Sequence, residues 1–203
     1  MTDRARAAKR SRHTKETQIE ISLDLDGSGK AEISTGIPFF DHMVSQLGKH
    51  AGFDLQVRAA GDIHIDTHHT IEDTGILLGE CLHEALGDKV GVRRFASIAV
   101  PLDEALVDVA VDLSGRPFLV YEVDPAPGSE PFLLGSPGFD PQLAEEFWRA
   151  LVTSAAITLH VRMVSGKNTH HILEASFKGV ARALRDAVRL EGGGVPSTKG
   201  VLA

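Results

Sequence analysis

The chain has 203 residues, of which 42% are apolar and 24% charged, and its net charge is −7. That length suits one domain or two small halves sharing a core, and no apolar run approaches the roughly 20 residues that a membrane-crossing helix needs. The acidic balance argues against general nucleic-acid binding, and the single Cys81 cannot form an internal disulfide. With no apolar signal segment at the amino terminus, a reducing cytoplasm is the expected compartment.

In chain order, Arg4, Arg6, Lys9, Arg10, Arg12 and Lys15 form a basic run. It has no aromatic residue to stack on a base, so residues 1–13 read as a flexible, solvated basic tail rather than an RNA-binding arm. Ile19, Ile21, Leu23 and Leu25 alternate with polar residues, and Asp26-Gly27-Ser28-Gly29 then turns the chain toward a second short strand, a predicted hairpin. After Pro38, the spacing of Phe39, Met43, Leu47 and Ala51 predicts a helix ending near Gly52, and Phe53, Leu55 and Val57 a strand. A second helix runs from about His68 to Leu86 with Gly87 as its stop, and Cys81 on its apolar stripe reads as a buried small residue. Phe95 to Pro101 and Ala105 to Leu113 read as strands, Ser114-Gly115-Arg116-Pro117 as a turn, and Asp124 to Pro141 as a Pro/Gly-rich loop. A helix from about Pro141 to Ala156, a strand through Ile157, Leu159 and Val161, and a helix from His170 to about Leu190 follow; the glycines at 192–194 open a flexible tail, residues 192–203.

The order helix, strand, helix therefore occurs twice, and its residues align. Leu47 matches Leu151, Ala51 matches Ala155, Leu55 matches Leu159, and Val57-Arg58 matches Val161-Arg162. Past a connecting loop that is longer in the first copy, His68-His69 matches His170-His171, Glu72 matches Glu174, Leu82 matches Leu184 and Ala85 matches Ala187. Neither copy could bury both of its helices alone. The expected class is α+β with internal duplication: halves 14–95 and 96–191, each a small mixed β-sheet with two helices on one face, and the helices packed between the two sheets.

Residues four apart lie on one face of a helix, whereas neighbours are about 100° apart. His68 and Glu72 can thus meet one metal while His69 points elsewhere, and His170, Glu174 and His171 repeat the pattern, which predicts two metal sites. A single pair of histidines at a helix start reads as well as caps or surface residues; a second copy at the matching point favours ligands. Asp41-His42 and Glu145-Glu146 sit at equivalent points of the partner helices, and His42 is the stronger candidate. His50, His64, His83 and His160 have no matched partner and read as structural or exposed. Imidazole and carboxylate without thiolate leave manganese, iron and catalytic zinc open.

Several segments resemble the imidazoleglycerol-phosphate dehydratases, from about Thr14 to Leu202. They are Thr14-Lys15-Glu16-Thr17, Gly36-Ile37-Pro38-Phe39-Phe40-Asp41-His42-Met43, His68-His69-Thr70-Ile71-Glu72-Asp73, Asp112-Leu113-Ser114-Gly115-Arg116-Pro117, Gly166-Lys167-Asn168-Thr169-His170-His171 and Pro196-Ser197-Thr198-Lys199-Gly200. The resemblance implies a ribosomal protein S5 domain 2-like fold, a monofunctional lyase of histidine biosynthesis, and dehydration of D-erythro-imidazole glycerol phosphate to imidazole acetol phosphate through a metal-bound imidazolate. It implies two Mn2+ per active site on His42, His68, His69, Glu72, His170, His171 and Glu174. Glu146 stands where the family usually has a histidine, with Glu145 beside it as another carboxylate able to reach that site. It also implies Glu16 as the acid or base for the second carbon, and Arg94, Arg116, Lys178, Ser197 and Lys199, with His50 and Glu16, as substrate-binding groups. The carboxyl-terminal tail would then fold over the site. A phosphorylated imidazole is the expected partner, with no nucleic acid and no membrane, in a homo-oligomer of 24 copies with sites at subunit interfaces.

Overall fold

The computed structural model describes residues 5–124 and 132–202. The first half contains β1 (Ala7–His13), β2 (Thr17–Asp24), β3 (Ala31–Ser34), α1 (Pro38–Ala51), β4 (Asp54–Gly61) and α2 (His68–Leu86). The second contains β5 (Phe95–Leu102), β6 (Ala105–Asp112), β7 (Phe118–Glu122), α3 (Leu143–Ala155), β8 (Thr158–Ser165) and α4 (Thr169–Ala187). The sheets have the orders β1-β2-β4-β3 and β5-β6-β8-β7, the same topology twice, with the last strand parallel to its neighbour and the other pairs antiparallel. This is the duplicated α+β architecture that the aligned residues predict.

Inward positions of the central strands, Ile19, Ile21 and Leu23 in β2 and Val107, Val109 and Val111 in β6, are at most 4% exposed. They meet helices whose apolar stripes close the core from between the sheets: α2 lies on β1 and β2, α4 on β5 and β6, while α2 packs along α3 and α1 along α4. Phe40, Phe139, Phe147, Trp148 and Phe177 fill the centre. Burying side chains of this size contributes about 1.5–3 kcal/mol each before the entropic cost of ordering. Where α2 crosses α3 there is no room for side chains: a Cβ at Gly75 would lie 2.6 Å from the Phe147 carbonyl oxygen, and one at Gly79 2.5 Å from that of Leu151.

Two sequence expectations change, and a third point adds a strand that no sequence pattern predicted. The basic run is not a solvated tail, because Ala7–His13 forms edge strand β1, paired antiparallel with β2 from Ala7↔Asp24 to His13↔Gln18. Carboxylates neutralise its cations: Arg10 pairs with Glu84 at 2.8 Å, Arg12 with Asp73 at 2.9 Å, and Arg6 with Asp26. Second, β2 and β3 form no hairpin, since β4 lies between them. The turn instead crosses the start of β4, where Asp54 Oδ1 accepts the N–H of Ser28 at 2.7 Å and of Lys30 at 3.0 Å. Third, β7 continues beyond the Ser114–Pro117 turn as a strand parallel to β8. The predicted loop from 124 to 141 lies partly outside the described residues; Leu134 and Phe139 in it form an isolated bridge.

Gly79→Ala should destabilise the protein by about 1–3 kcal/mol through overpacking at the α2–α3 crossing. Gly194→Ala, in open space, should change stability by no more than about 0.5 kcal/mol. Urea unfolding of the two variants beside the parent checks this; equal stability of the pair would show that the helices can separate freely there.

Candidate metal centre and anion cleft

Asp41 is fixed at the start of α1 by accepting from the Thr35 N–H at 2.8 Å and hydroxyl at 2.6 Å, and His42 projects from the next position. At the start of α4, Asn168 caps the helix by accepting the N–H of His170 at 2.9 Å and His171 at 3.4 Å. One helical turn further on, Glu174 shares a face with His170. Because α1 packs on α4, three groups that are distant in sequence meet: Glu174 Oε2 lies 2.9 Å from His170 Nε2 and 3.3 Å from His42 Nε2. Among the described residues this is the His/carboxylate group whose donor atoms lie within 4.8 Å of one another. Two imidazoles and a carboxylate with no thiolate fit a divalent transition metal.

Glu174 is the most perturbed carboxylate there. Burial pushes its pKa up, but hydrogen bonds from Lys178, His170 and His42 outweigh burial and hold it at about 2. Lys178, one turn along α4, pairs with its other oxygen at 2.7 Å. Along the facing side of α1, His50 Nε2 lies 3.1 Å from Gln46 Oε1, and burial with Lys178 and Arg182 nearby depresses its pKa. The polar groups on α1 at 42, 46 and 50 therefore face those on α4 at 170, 174 and 178. The positions on α2 matching Lys178 and Arg182 are Ile76 and Glu80, so the cationic extension belongs to one of the two crossings.

The adjacent histidines point away, as helical geometry requires. His68 and His69 have ring centroids 6.2 Å apart at 81°, and His170 and His171 6.2 Å apart at 79°. His68 is 3.7 Å from Glu72. His69 Nδ1 is 3.1 Å from Asp62, which raises the His69 pKa. His171 Nδ1 is 2.8 Å from Glu104; that contact raises the His171 pKa and, with the Asn168 N–H, holds Glu104 at about 2. Glu146 is not gathered with His68 and Glu72: it sits on α3 3.8 Å from Arg149, which also pairs with Glu145. Cys81 is buried, its thiol pushed up to about 12.

A second feature lies at the end of the second sheet. Arg94, Arg116, Ser197 and Lys199 line one cleft of about 640 Å3 together with Pro196 and Thr198. Arg94 is anchored by Asp112 at 2.7 Å and donates to the Pro196 carbonyl at 2.7 Å, which brings the tail to the cleft. Of the cations named from the sequence, Lys178 alone lies elsewhere, beside Glu174. Asp62 and Glu104, the partners of His69 and His171, went unrecognised in the sequence. No sequence signal joins either carboxylate to its histidine, because Glu104 lies 67 residues before His171 and Asp62 lies in a loop that is longer than its counterpart.

A duplicated α+β fold, a His/carboxylate group suited to a divalent metal and a cleft with two arginines and a lysine define a metal-assisted enzyme class acting on small anionic substrates. The sequence profile of imidazoleglycerol-phosphate dehydratase matches residues 35–184. The chain is 58% identical over 201 residues to the imidazoleglycerol-phosphate dehydratase of Parafrankia sp., covering 98% of this chain and 100% of that one. It is 54% identical to that of Acidothermus cellulolyticus, covering 97% and 93%. Crystal structures of the Staphylococcus aureus and Pyrococcus furiosus enzymes superpose with a TM-score of 0.79 each, at 37% and 39% identity; they cover 91% and 95% of this chain and 99% and 100% of theirs. The chain belongs to the imidazoleglycerol-phosphate dehydratase family, hydro-lyases of histidine biosynthesis (EC 4.2.1.19). No helix of the described residues is long and apolar enough to cross a membrane.

Glu174 ionises at about 2 in the folded chain, below the ordinary 4.5. Its contribution to stability is therefore present above pH 4.5 and lost as pH falls through 2. In metal-free protein, Glu174→Gln should flatten the fall in stability across that window, measured by urea midpoints at stepped pH; an unchanged slope would assign the loss to other carboxylates.

Proposed function

We propose that the dehydration takes place where the imidazole–carboxylate groups meet the Arg94–Arg116–Ser197–Lys199 cleft, at contacts between copies of the chain in the cytoplasm. The observation that carries this reading is the convergence of His42, His170 and Glu174 from opposite halves, with Lys178 held against Glu174. Two Mn2+ are the proposed ions, with His42, His68, His69, Glu72, Glu146, His170, His171 and Glu174 as their ligands. Bound there, they would supply positive charge to the substrate ring and make its N–H acidic.

The substrate has no carbonyl beside the C–H bond that must break, so its ring has to store the electrons. Arg94, Arg116, Lys178, Ser197 and Lys199 suit a phosphate dianion, the arginines through paired N–H donors, and His50 adds a neutral imidazole beside Lys178. With the phosphate fixed, the ring gives up its N–H proton and the adjacent hydroxyl departs, the two leaving as water. Glu16 then takes the proton from the next carbon, the ring is reprotonated, and the resulting enol becomes the ketone of imidazole acetol phosphate. The Arg94 contact to Pro196 supports a tail, residues 192–203, that closes over this site.

His69 and His171 point away from the assembled group and remain partly exposed, 36% and 29% at the side chain. This supports their use at sites shared with other copies in an assembly of 24. The basic run at the amino terminus, with Arg6, Arg10 and Arg12 already paired, favours the enzyme over a nucleic-acid module.

Manganese-loaded protein given imidazole glycerol phosphate should produce an enolisable ketone; full metal occupancy without product would reject the reading. Glu16→Gln should abolish turnover with manganese content unchanged, and retained turnover would remove Glu16 from the reaction. Arg116→Ala should raise KM roughly tenfold or more, since a charge-assisted hydrogen bond is worth about 1.5–3 kcal/mol.

A further inference from the structure

The two halves invite comparison at each residue near the histidines. In β2–β4, Ile21 pairs with Val57, and in β6–β8, Val109 pairs with Val161. Since β4 matches β8 at Val57 and Val161, Ile21 is the counterpart of Val109. Glu16 and Glu104 then correspond along β2 and β6, each standing one residue before its strand, although the β6–β8 pairing carries a register shift at Leu106/Val107 that β2–β4 lacks.

These two glutamates are used differently. Glu104 is fully engaged: Oε2 accepts from His171 Nδ1 at 2.8 Å, and Oε1 accepts from the N–H of Asn168 at 2.8 Å and of Lys167 at 3.2 Å. The Glu16 carboxylate has no hydrogen bond among the described residues. It is 55% exposed, with Oε1 4.0 Å from His69 Nε2. The task that Glu104 performs for His171 is performed for His69 by Asp62, whose two oxygens lie 3.1 and 3.2 Å from Nδ1.

The reason lies in the loop before the second histidine helix. Asp62 follows β4 as Gly166 follows β8, but a Cβ at Gly166 would lie 2.5 Å from Ile172 Cγ1, so a side chain there would have to displace Ile172. The first loop has six residues before its histidine pair, 62–67, against 166–169 in the second, and this leaves room for Asp62. Asp62 also donates its own N–H to the Glu16 carbonyl at 3.1 Å. On the other side, Thr14 Oγ1 accepts the N–H of Glu16 at 3.1 Å and of Thr17 at 2.9 Å, and the Thr17 hydroxyl donates to Asp73 at 2.5 Å. Asp73 is secured by Arg12. The second half has Ala105 and Ala175 where the first has Thr17 and Asp73. The Glu16 backbone is thus pinned on both sides while its carboxylate stays free.

We propose that Asp62 is a positioning residue, holding His69 through its side chain and the Glu16 backbone through its amide, so that Glu16 is spared the structural duty that occupies Glu104. The inference rests on the proton-transfer role given to Glu16 above. It is tested on the full-length, manganese-loaded protein with Asp62→Ala, Asp62→Asn and Glu16→Gln. Removing a carboxylate that orients a ligand histidine weakens metal binding about 10–100-fold, so Asp62→Ala should raise the manganese Kd by that amount, read by calorimetry. At saturating manganese its kcat should stay at least about tenfold low with KM unchanged, because a displaced His69 costs the reaction step rather than substrate binding. Asp62→Asn, whose amide oxygen can still accept from Nδ1–H, should recover most of both losses. Turnover in Glu16→Gln would overturn the reading on which the inference rests. An inactive Glu16→Gln beside an Asp62→Ala protein with parental kcat at saturating manganese would overturn the inference alone. Should Asp62→Ala fail to fold, a loss of kcat in Asp62→Asn equal to that of Glu16→Gln, with parental circular dichroism, would also overturn it, because the retained hydrogen bond would then be doing nothing.

Discussion

Helix α1 of the first half lies along α4 of the second, and α2 lies along α3, so the halves are joined through the same surfaces that place their chemistry. The association is apolar in origin: Phe40, Phe147, Trp148 and Phe177 meet between the sheets and are fully buried. On α2, two small residues one turn apart let the α3 backbone come into contact. Interiors packed this closely resist shifts of even a methyl group, which keeps His42 within reach of a glutamate 132 positions away. Without the crossing, His170 and Glu174 would be an ordinary pair on one helix.

Electrostatics refines what packing assembles. Glu174 is only 13% exposed, and a carboxylate so placed would favour its neutral form were Lys178 and two histidines not beside it. In that state it is charged at all physiological pH and ready to attract a cation. The two crossings are not equivalent in this respect, because the basic groups at 178 and 182 have Ile76 and Glu80 as counterparts. The same contrast runs between sheet and helix, where Thr17 of β2 and Asp73 of α2 form a buried polar contact and Ala105 and Ala175 do not.

Much of this was legible in the sequence because it rests on periodicity. The matched apolar positions revealed the duplication, and the i, i+4 rule separated His68 from His69 and His170 from His171. What periodicity could not convey was partnership across the fold. Residues 7–13 looked like a solvated tail because Arg10 and Arg12 occupy positions where an edge strand normally turns apolar residues inward; the carboxylates that accept them lie on α2, more than 60 residues away. The supposed hairpin failed because a turn signal says where the chain reverses, not whether another strand enters the gap. Glu104 and Asp62 were invisible for a similar reason, one being separated from its histidine by 67 residues and the other lying in a loop longer than its counterpart in the second half. The cleft around Arg94 and Lys199 came from family likeness, since isolated basic residues have no period.

The unlike fates of Glu16 and Glu104 have a consequence for how such a chain can evolve. Two identical subunits related by a twofold axis must carry every substitution twice, so a change that improves one half of their contact is imposed on the other. Fusing the copies into one polypeptide removes that obligation. A single codon can then shorten one loop or replace one threonine by alanine and leave the other half untouched, which lets one copy of an inherited carboxylate remain a brace while the other is released for chemistry.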